Sequence, residues 1–336
     1  MKKILIILIL ICSGCNNYKE LNNIAIVTGI SIDYNNKYEL NFLVSDDKNT
    51  IYKTDGKTIS EALNKLNNII PKQIYLGHLD MIILSESASN YIDNITNYFY
   101  RNKETSKQIH LLMTKDNAKE ILTTLSKLEP FPFEKISLDI NSNNSLSDNL
   151  TYNKFIESYL KKGMEPFIPT VKIYDKKYIS TTGLALFKKN KFIGYTNLEE
   201  AQGINLILNN NNEIMIKNKD YVINVKNIKV KKKLIIKDKP TIYINIDGIG
   251  NIEEIINNNI DKPINNELKT ILYNSINIVK KYNTDVLGFG NLIYKKNPDY
   301  FYNHPNYLHE LNIVINTNIK IKNKDLIKGL KDEKME

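Results

Sequence analysis

From Ile24 onward the chain switches between two spacings of apolar residues, and the switching predicts sheets covered by helices. Ile24, Ile26, Ile30 and Ile32 share one parity, and Tyr38, Leu40, Phe42 and Val44 repeat it. Residues two apart lie on one face of a strand, so these segments read as two half-buried strands joined by a turn at Asn35-Asn36. Ile59, Ala62, Leu63, Leu66 and Ile70 then take helical spacing, with Thr58 or Ser60 placed to cap the start. A buried strand over residues 79–84 follows, then a helical stripe at Tyr91, Ile92, Ile95, Tyr98 and Phe99. A strand over 109–113 and a third helix at Ala118, Ile121, Leu122 and Leu125 complete an α/β layer.

Between residues 129 and 149 the pattern fails. Pro130 and Pro132 precede a run of Asn, Ser, Asp and Leu, which reads as an exposed connection. A short helix around Phe155 and Leu160 and the stretch from Pro166 to Pro169 lead into a different texture. Residues 171–174, 183–187, 192–195 and 221–236 are strand-like, and 242–246 alternates on even positions. One long helix carries Leu268, Ile271, Leu272, Ser275, Ile276 and Val279 on a face. The last strand alternates Leu311, Ile313, Ile315, Ile319 and Ile321 with polar neighbours. This half reads as an antiparallel sheet packed on a long helix. The expected fold class is α+β and multi-domain, with mixed sheets and covering helices. An N-terminal α/β unit is expected over 24–175, with the exposed connection near 129–150, and a C-terminal α+β unit over 176–331.

The first residues follow other rules. Met1-Lys2-Lys3 precedes the apolar run from Ile4 to Ile11, then Cys12-Ser13-Gly14-Cys15. About eight apolar residues rise only ~12 Å as a helix, whereas a membrane span needs roughly 20, so the segment reads as a secretory leader. Ser-Gly-Cys at its end resembles the lipobox of bacterial lipoproteins, although Cys12 stands where Leu is usual. That match implies cleavage between Gly14 and Cys15 and a diacylglyceryl group on the Cys15 thiol. Residues 1–14 are then a signal peptide and 15–23 a polar leash to the folded body. Two acyl chains give stable anchoring, where one is marginal. The C-x-x-C spacing also admits a redox or zinc reading. Zinc would need a second ligand pair, and the four His lie far down the chain.

The formal net charge of +9 is compatible with nucleic acid or an anionic membrane surface. The cations are almost all Lys, with Arg101 the single Arg. Base and phosphate readers favour the bidentate guanidinium, so no nucleic-acid partner is expected. No catalytic constellation is visible. Glu20, Asp33 and Glu61 are isolated carboxylates, with no acid–base pair among them. His78 and Asp80 flank an apolar residue, and a strand there would place both on one face, yet no third metal ligand sits nearby. Gly248-Ile249-Gly250 and Gly288-Phe289-Gly290 lack the third glycine of a phosphate-binding loop, and Asp285 before Gly288 reads as a cap or turn. His304 and His309 sit in a Tyr-rich stretch that reads as a loop packed on the sheet or as an interface. No metal, cofactor or catalytic residue is assigned.

Four segments in order resemble the C-subunit lipoproteins of spore germinant receptors, the Ger(x)C family. The first runs from Glu20 to Asp33 behind the lipobox. The second joins Thr58 and Glu61-Ala62 to Ile74-Tyr75-Leu76-Gly77-His78-Leu79-Asp80. The third is Gly183-Leu184-Ala185-Leu186-Phe187 with Lys191-Phe192-Ile193-Gly194 and Leu198-Glu199-Glu200. The fourth is Asp285-Val286-Leu287-Gly288-Phe289-Gly290. The resemblance implies a lipid-anchored protein on the outer face of the spore inner membrane. It would work beside two integral membrane receptor subunits, one transporter-like and one multi-span, without enzymatic activity. Glu20, Asp33, Gly77, His78, Asp80, Asp285, Gly288 and Gly290 are the candidate interface or structural residues. The alternative is a solute-binding lipoprotein of a transporter, which would show two comparable parallel α/β lobes around a cleft.

Overall fold

A computed structural model describes residues 23–45, 48–127, 151–255 and 261–322. Cys15, Gly14, Glu20 and the connection near 129–150 lie outside the described residues. The strands are β1 (Ile24–Tyr34), β2 (Tyr38–Val44), β3 (Thr50–Gly56), β4 (Gln73–Tyr75), β5 (Met81–Ser85) and β6 (His110–Thr114). They continue with β7 (Phe167–Tyr174), β8 (Tyr178–Lys188), β9 (Lys191–Tyr195), β10 (Ile214–Lys217), β11 (Tyr221–Ile236), β12 (Pro240–Ile255) and β13 (Asn312–Lys322). The helices are α1 (Ile59–Ile69), α2 (Glu86–Ser89), α3 (Ile92–Arg101), α4 (Ala118–Ser126) and α5 (Tyr152–Leu160), then α6 (Leu198–Leu208), α7 (Asp261–Lys281), α8 (Phe289–Lys296), α9 (Pro298–Asn303) and α10 (Tyr307–Glu310).

The first sheet has nine strands in the order β3-β2-β1-β5-β6-β7-β8-β9, with β4 beside the start of β1. Its centre is parallel, because helices connect β5 to β6 and β6 to β7, while hairpins add antiparallel strands at both edges. The alternation in β5 and β6 sorts the core. Ile82, Leu84, Leu111 and Met113 pack with Ile59, Leu66, Ile95 and Phe99 of α1 and α3. Met81, Ile83 and Leu112 face the other way, against Ile121, Leu122 and Leu125 of α4. Both faces are covered, which is why these strands read as unbroken apolar runs.

The second sheet has the order β10-β11-β12-β13. The antiparallel expectation holds for β10, β11 and β12, whereas β13 pairs parallel to β12. The reason is the connection: α7 carries the chain back along the sheet, so β13 starts at the same end as β12. On the core side, Ile242, Ile244 and Ile246 pack with Leu268, Leu272 and Ile276 of α7. Between the sheets runs α6, started by a capping box in which Asn197 and Glu200 satisfy each other's backbone N–H. Ala201, Ile204 and Ile207 of α6 share one continuous apolar cluster with Leu184 and Leu186 of β8 and with the second sheet. A Cβ at Gly203 would stand 2.0 Å from Ser275 Oγ, so α6 and α7 touch there at backbone distance.

The two sheets therefore differ in size, strand order and cover. The Tyr-rich stretch around His304 and His309, read from sequence as a loop packed on the sheet or as an interface, forms the short helices α9 and α10, with Asn297 capping α9 through its side chain. Their rings pack on one another: His304 stacks on Tyr300 at 3.8 Å, and Phe301 meets both Tyr294 and Tyr307.

Candidate functional site

The fourth motif lies where α7 ends. Asn283 takes a left-handed turn (φ 47°), and Thr284 Oγ1 donates to the Phe187 carbonyl at 2.5 Å, tying the chain to the end of β8. Asp285 then turns inward and is buried. Its Oδ1 accepts the Phe289 N–H at 3.0 Å, and its Oδ2 accepts the Gly290 N–H at 2.5 Å and the Tyr307 hydroxyl at 2.9 Å. A carboxylate here satisfies the orphan N–H groups at the start of α8 and faces the positive end of that helix. Burial nevertheless dominates and pushes the Asp285 carboxyl up to about 6, with the donated hydrogen bonds pulling the other way. Burial and the neighbouring Asp285 together raise the Tyr307 hydroxyl. Lys232 of β11 is lowered by burial, against the opposing pull of Asp285.

The two glycines of the motif are required for different reasons, Gly288 by its backbone conformation and Gly290 by close approach. Gly288 has φ 69°. At Gly290 a Cβ would stand 2.1 Å from Tyr307 Oη and 2.9 Å from Gly163 Cα. Gly163, at φ +70°, would place its own Cβ 2.3 Å from the Gly290 carbonyl carbon. Two backbones thus cross in contact, and they are hydrogen-bonded there. Asn291 N donates to Gly163 O at 2.8 Å, Asn291 Nδ2 to Lys162 O at 2.9 Å, and Glu165 N to Asp285 O at 3.0 Å. Lys162 Nζ reaches Tyr302 Oη at 2.5 Å over the Tyr294 and Tyr302 rings. The site is a junction that fastens the segment between α5 and β7 to the elements after α7. Its polar atoms face each other, not a cavity.

The other candidates lie apart from it. Asp33, at the end of β1, accepts the N–H groups of Ala118 at 2.9 Å and Lys119 at 3.2 Å, and so, from 85 residues away, adds to the cap of α4 that Asn117 makes through Lys119 N at 2.9 Å. Gly77, His78 and Asp80 lie in the turn between β4 and β5. The strand expected to put His78 and Asp80 on one face begins only at Met81, and both side chains are exposed in the turn. The Asp80 backbone is tied at both ends, its N–H to Thr28 O at 3.0 Å and its carbonyl to His110 N at 2.9 Å. A Cβ on Gly77 would meet the Tyr75 ring at 2.3 Å, and His78 meets the same ring edge-on at 5.7 Å. Sequence reasoning missed Tyr307, Gly163 and Glu165 as members of the Asp285 junction. Their signals were a lone Gly before a Pro-rich segment and a Tyr assigned to a loop.

Two family models cover most of the chain. That for the spore germination protein N-terminal domain matches residues 17–173, and that described as spore germination B3/GerAC like, C-terminal, matches 182–324. The break between them falls inside the β7–β8 hairpin, so the first sheet contains strands from both matches. Spore germination protein B3 of Bacillus subtilis (strain 168) is 23% identical over 341 residues, covering 89% of each chain. Spore germination protein KC of the same organism is 21% identical, covering 88% of this chain and 87% of its own. The crystal structure of the GerBC protein shares the fold with a TM-score of 0.59 at 18% identity, covering 91% of this chain and all of that one.

Proposed function

Since this chain belongs to the spore germination B3/GerAC-like family, we propose that it is the lipid-anchored, non-catalytic subunit of a nutrient germinant receptor complex in the spore. Cys15 carries a diacylglyceryl thioether and is the mature N-terminus. It holds the folded body at the outer face of the spore inner membrane, beside two integral membrane subunits, one of them transporter-like. The observation that carries this reading is the match of both family models, in order, behind a lipobox. The chemistry of the best-built site agrees. Both Asp285 oxygens accept hydrogen bonds from the chain itself, as in a structural node and not a base poised for substrate. Among the described residues no helix is long and apolar enough to cross a membrane.

Deleting the gene tests the reading. Nutrient-triggered germination through the cognate receptor should be lost, and germination by agents that bypass receptors should continue. Normal nutrient germination in the deletion strain, with the membrane subunits present, would refute it. Mass spectrometry of the protein extracted from membranes tests the anchor separately. A Cys15→Ala protein still fully processed and membrane-bound would rule the thioether out.

A further inference from the structure

Among the described residues the second sheet leaves one face open. Its core face carries Ile228, Leu234, Ile242, Ile244, Ile246, Ile315 and Ile319, all buried. The register places on the opposite face Lys229, Asp247 and Asn318 in one row, then Lys231, Asn245 and Asn316, then Lys233, Tyr243 and Val314. A bulge in β11 between Lys226 and Lys229 keeps Lys226 on the same side, opposite Ile249 and Lys320. Lys226, Lys229, Lys231, Lys233, Lys320 and Lys322 are all exposed. Successive lysines of β11 stand about 7 Å apart, in a band two strand spacings, about 10 Å, from those of β13.

The charge pattern is local and not a mere echo of a Lys-rich composition. On the β2–β3 hairpin and α1, lysines are interleaved with carboxylates, as in Lys37–Asp55 at 2.8 Å, Lys53–Glu39 at 2.8 Å and Lys65–Asp55 at 3.0 Å. On the open face the rows hold Asp247, whose carboxylate is bound by Asn318 at 3.0 Å, and Glu213, just before β10, approaches Lys226 at 3.4 Å. Asn245 and Asn316 are joined across the strands at 2.9 Å, so the middle of the face is polar and held in register. Ammonium groups repeated along two strands suit a surface of repeated phosphates better than one small ligand.

We propose that the open face of the second sheet docks on the anionic lipid headgroups of the membrane to which the protein is tethered. The proposal deepens the anchored-subunit reading and rests on it for the location. Residues 16–23, even fully extended, span at most about 28 Å, so the tether holds the body within reach of the bilayer. The lysine face would then fix which side of the body looks down and which is left for protein partners. It also gives the lipid a second attachment, dependent on salt.

The test uses the chain from Asn16 onward, which lacks the lipid; the apolar clusters described above begin at Ala25. Vesicles of phosphatidylcholine with about 30 mol % phosphatidylglycerol are sedimented with the protein at about 50 mM salt. Binding is expected to these vesicles, to fall steeply as salt rises, and to be absent on pure phosphatidylcholine. Changing Lys229, Lys231, Lys233 and Lys320 to Gln should weaken partitioning about a hundredfold or more while leaving the melting temperature in place. The same change at Lys172, Lys176, Lys188 and Lys191, exposed lysines of the first sheet, should have little effect. Equal binding by the two quadruple variants, or no wild-type preference for anionic vesicles, overturns the proposal. So does a face variant that still binds vesicles but no longer captures the membrane subunits, since the face would then belong to a protein partner. This chain carries no thioether, so a failed anchor shows in the mass of the native protein and not here.

Discussion

The Asp285 junction and the Gly77–Asp80 turn come from motifs of similar clarity, yet they are built in opposite ways. At the junction the side chain points inward, three donors converge on one carboxylate, and two glycine backbones leave no room for a methyl group. In the turn the backbone is fixed by Thr28 and His110, while the His78 and Asp80 side chains face solvent. The difference teaches that a motif marks constraint without saying what is constrained. Burial decides between fold and contact: a buried, fully bonded residue is held by its own chain, whereas an exposed side chain on a rigid turn, such as His78, is within reach of a partner.

The sharpest attempt to break this contrast is Gly163→Ala. It needs a left-handed residue and drives a methyl into the Gly290 backbone, where neither side can swing away. A loss of about 3 kcal/mol or more is expected in urea unfolding, because overpacking and backbone strain add. A variant as stable as the wild type would remove the junction as a constraint.

Asp285 provides the next test, through pH. Its carboxyl is raised to about 6 in the fold, from the ordinary 3.8. Between those values the folded state holds a proton that the unfolded chain has released, so stability falls as pH rises through the window. The contribution is up to about 3 kcal/mol, fully present below pH 3.8 and lost by pH 6 and above. Asp285→Asn should remove this slope and lower stability overall, since an amide nitrogen would oppose the Gly290 N–H donor. The measurement is the difference between wild-type and variant unfolding free energies across pH 4 to 7, and an unchanged difference would contradict the assignment.

Smaller effects belong to capping and to the turn. Asp33→Ala takes the side-chain acceptor from the Ala118 N–H, while Lys119 N keeps Asn117 Oδ1, and should cost about 1 kcal/mol. Gly77→Ala meets only the tip of the Tyr75 ring, which can rotate, so a loss of about 1 kcal/mol is expected. His78→Ala should change stability by less than about 0.5 kcal/mol. If it nonetheless abolishes co-purification with the membrane subunits, the turn is a contact; if it lowers the melt like Gly77→Ala, the turn serves the fold and the contrast collapses.

Local spacing made most elements legible. The helices at Ile59, Ile92 and Ala118 announce themselves because one face is buried and the other wet. The strands at Ile24 and Tyr38 are legible from their apolar content, although both faces of β2 are buried and in β1 Ala25 and Val27, not Ile24 and Ile26, are the buried pair ahead of a bulge between Val27 and Gly29. What spacing does not carry is which strand lies beside which. β13 alternates equally well as a parallel or an antiparallel neighbour, and only α7 as its connection decides. β3, with the sequence TIYKTDG, is an edge strand with a weak apolar signal and escaped notice. The Asp285 site was half legible. Its turn and helix start are local, whereas Gly163 comes from more than a hundred residues earlier and Tyr307 returns after two further helices. Long-range partners of that kind leave no periodic trace.

The central claim is that this body works as the anchored subunit of a receptor, holding its integral partners and not acting alone. Its most direct measurement is affinity capture of the full-length tagged protein from detergent-extracted spore inner membranes, with the captured chains identified by mass spectrometry. The account predicts two multi-span proteins recovered with it in a fixed ratio, and predicts that both remain when receptor-independent germination triggers are applied. Recovery of the protein alone, with both multi-span chains present in the same detergent extract, would contradict it.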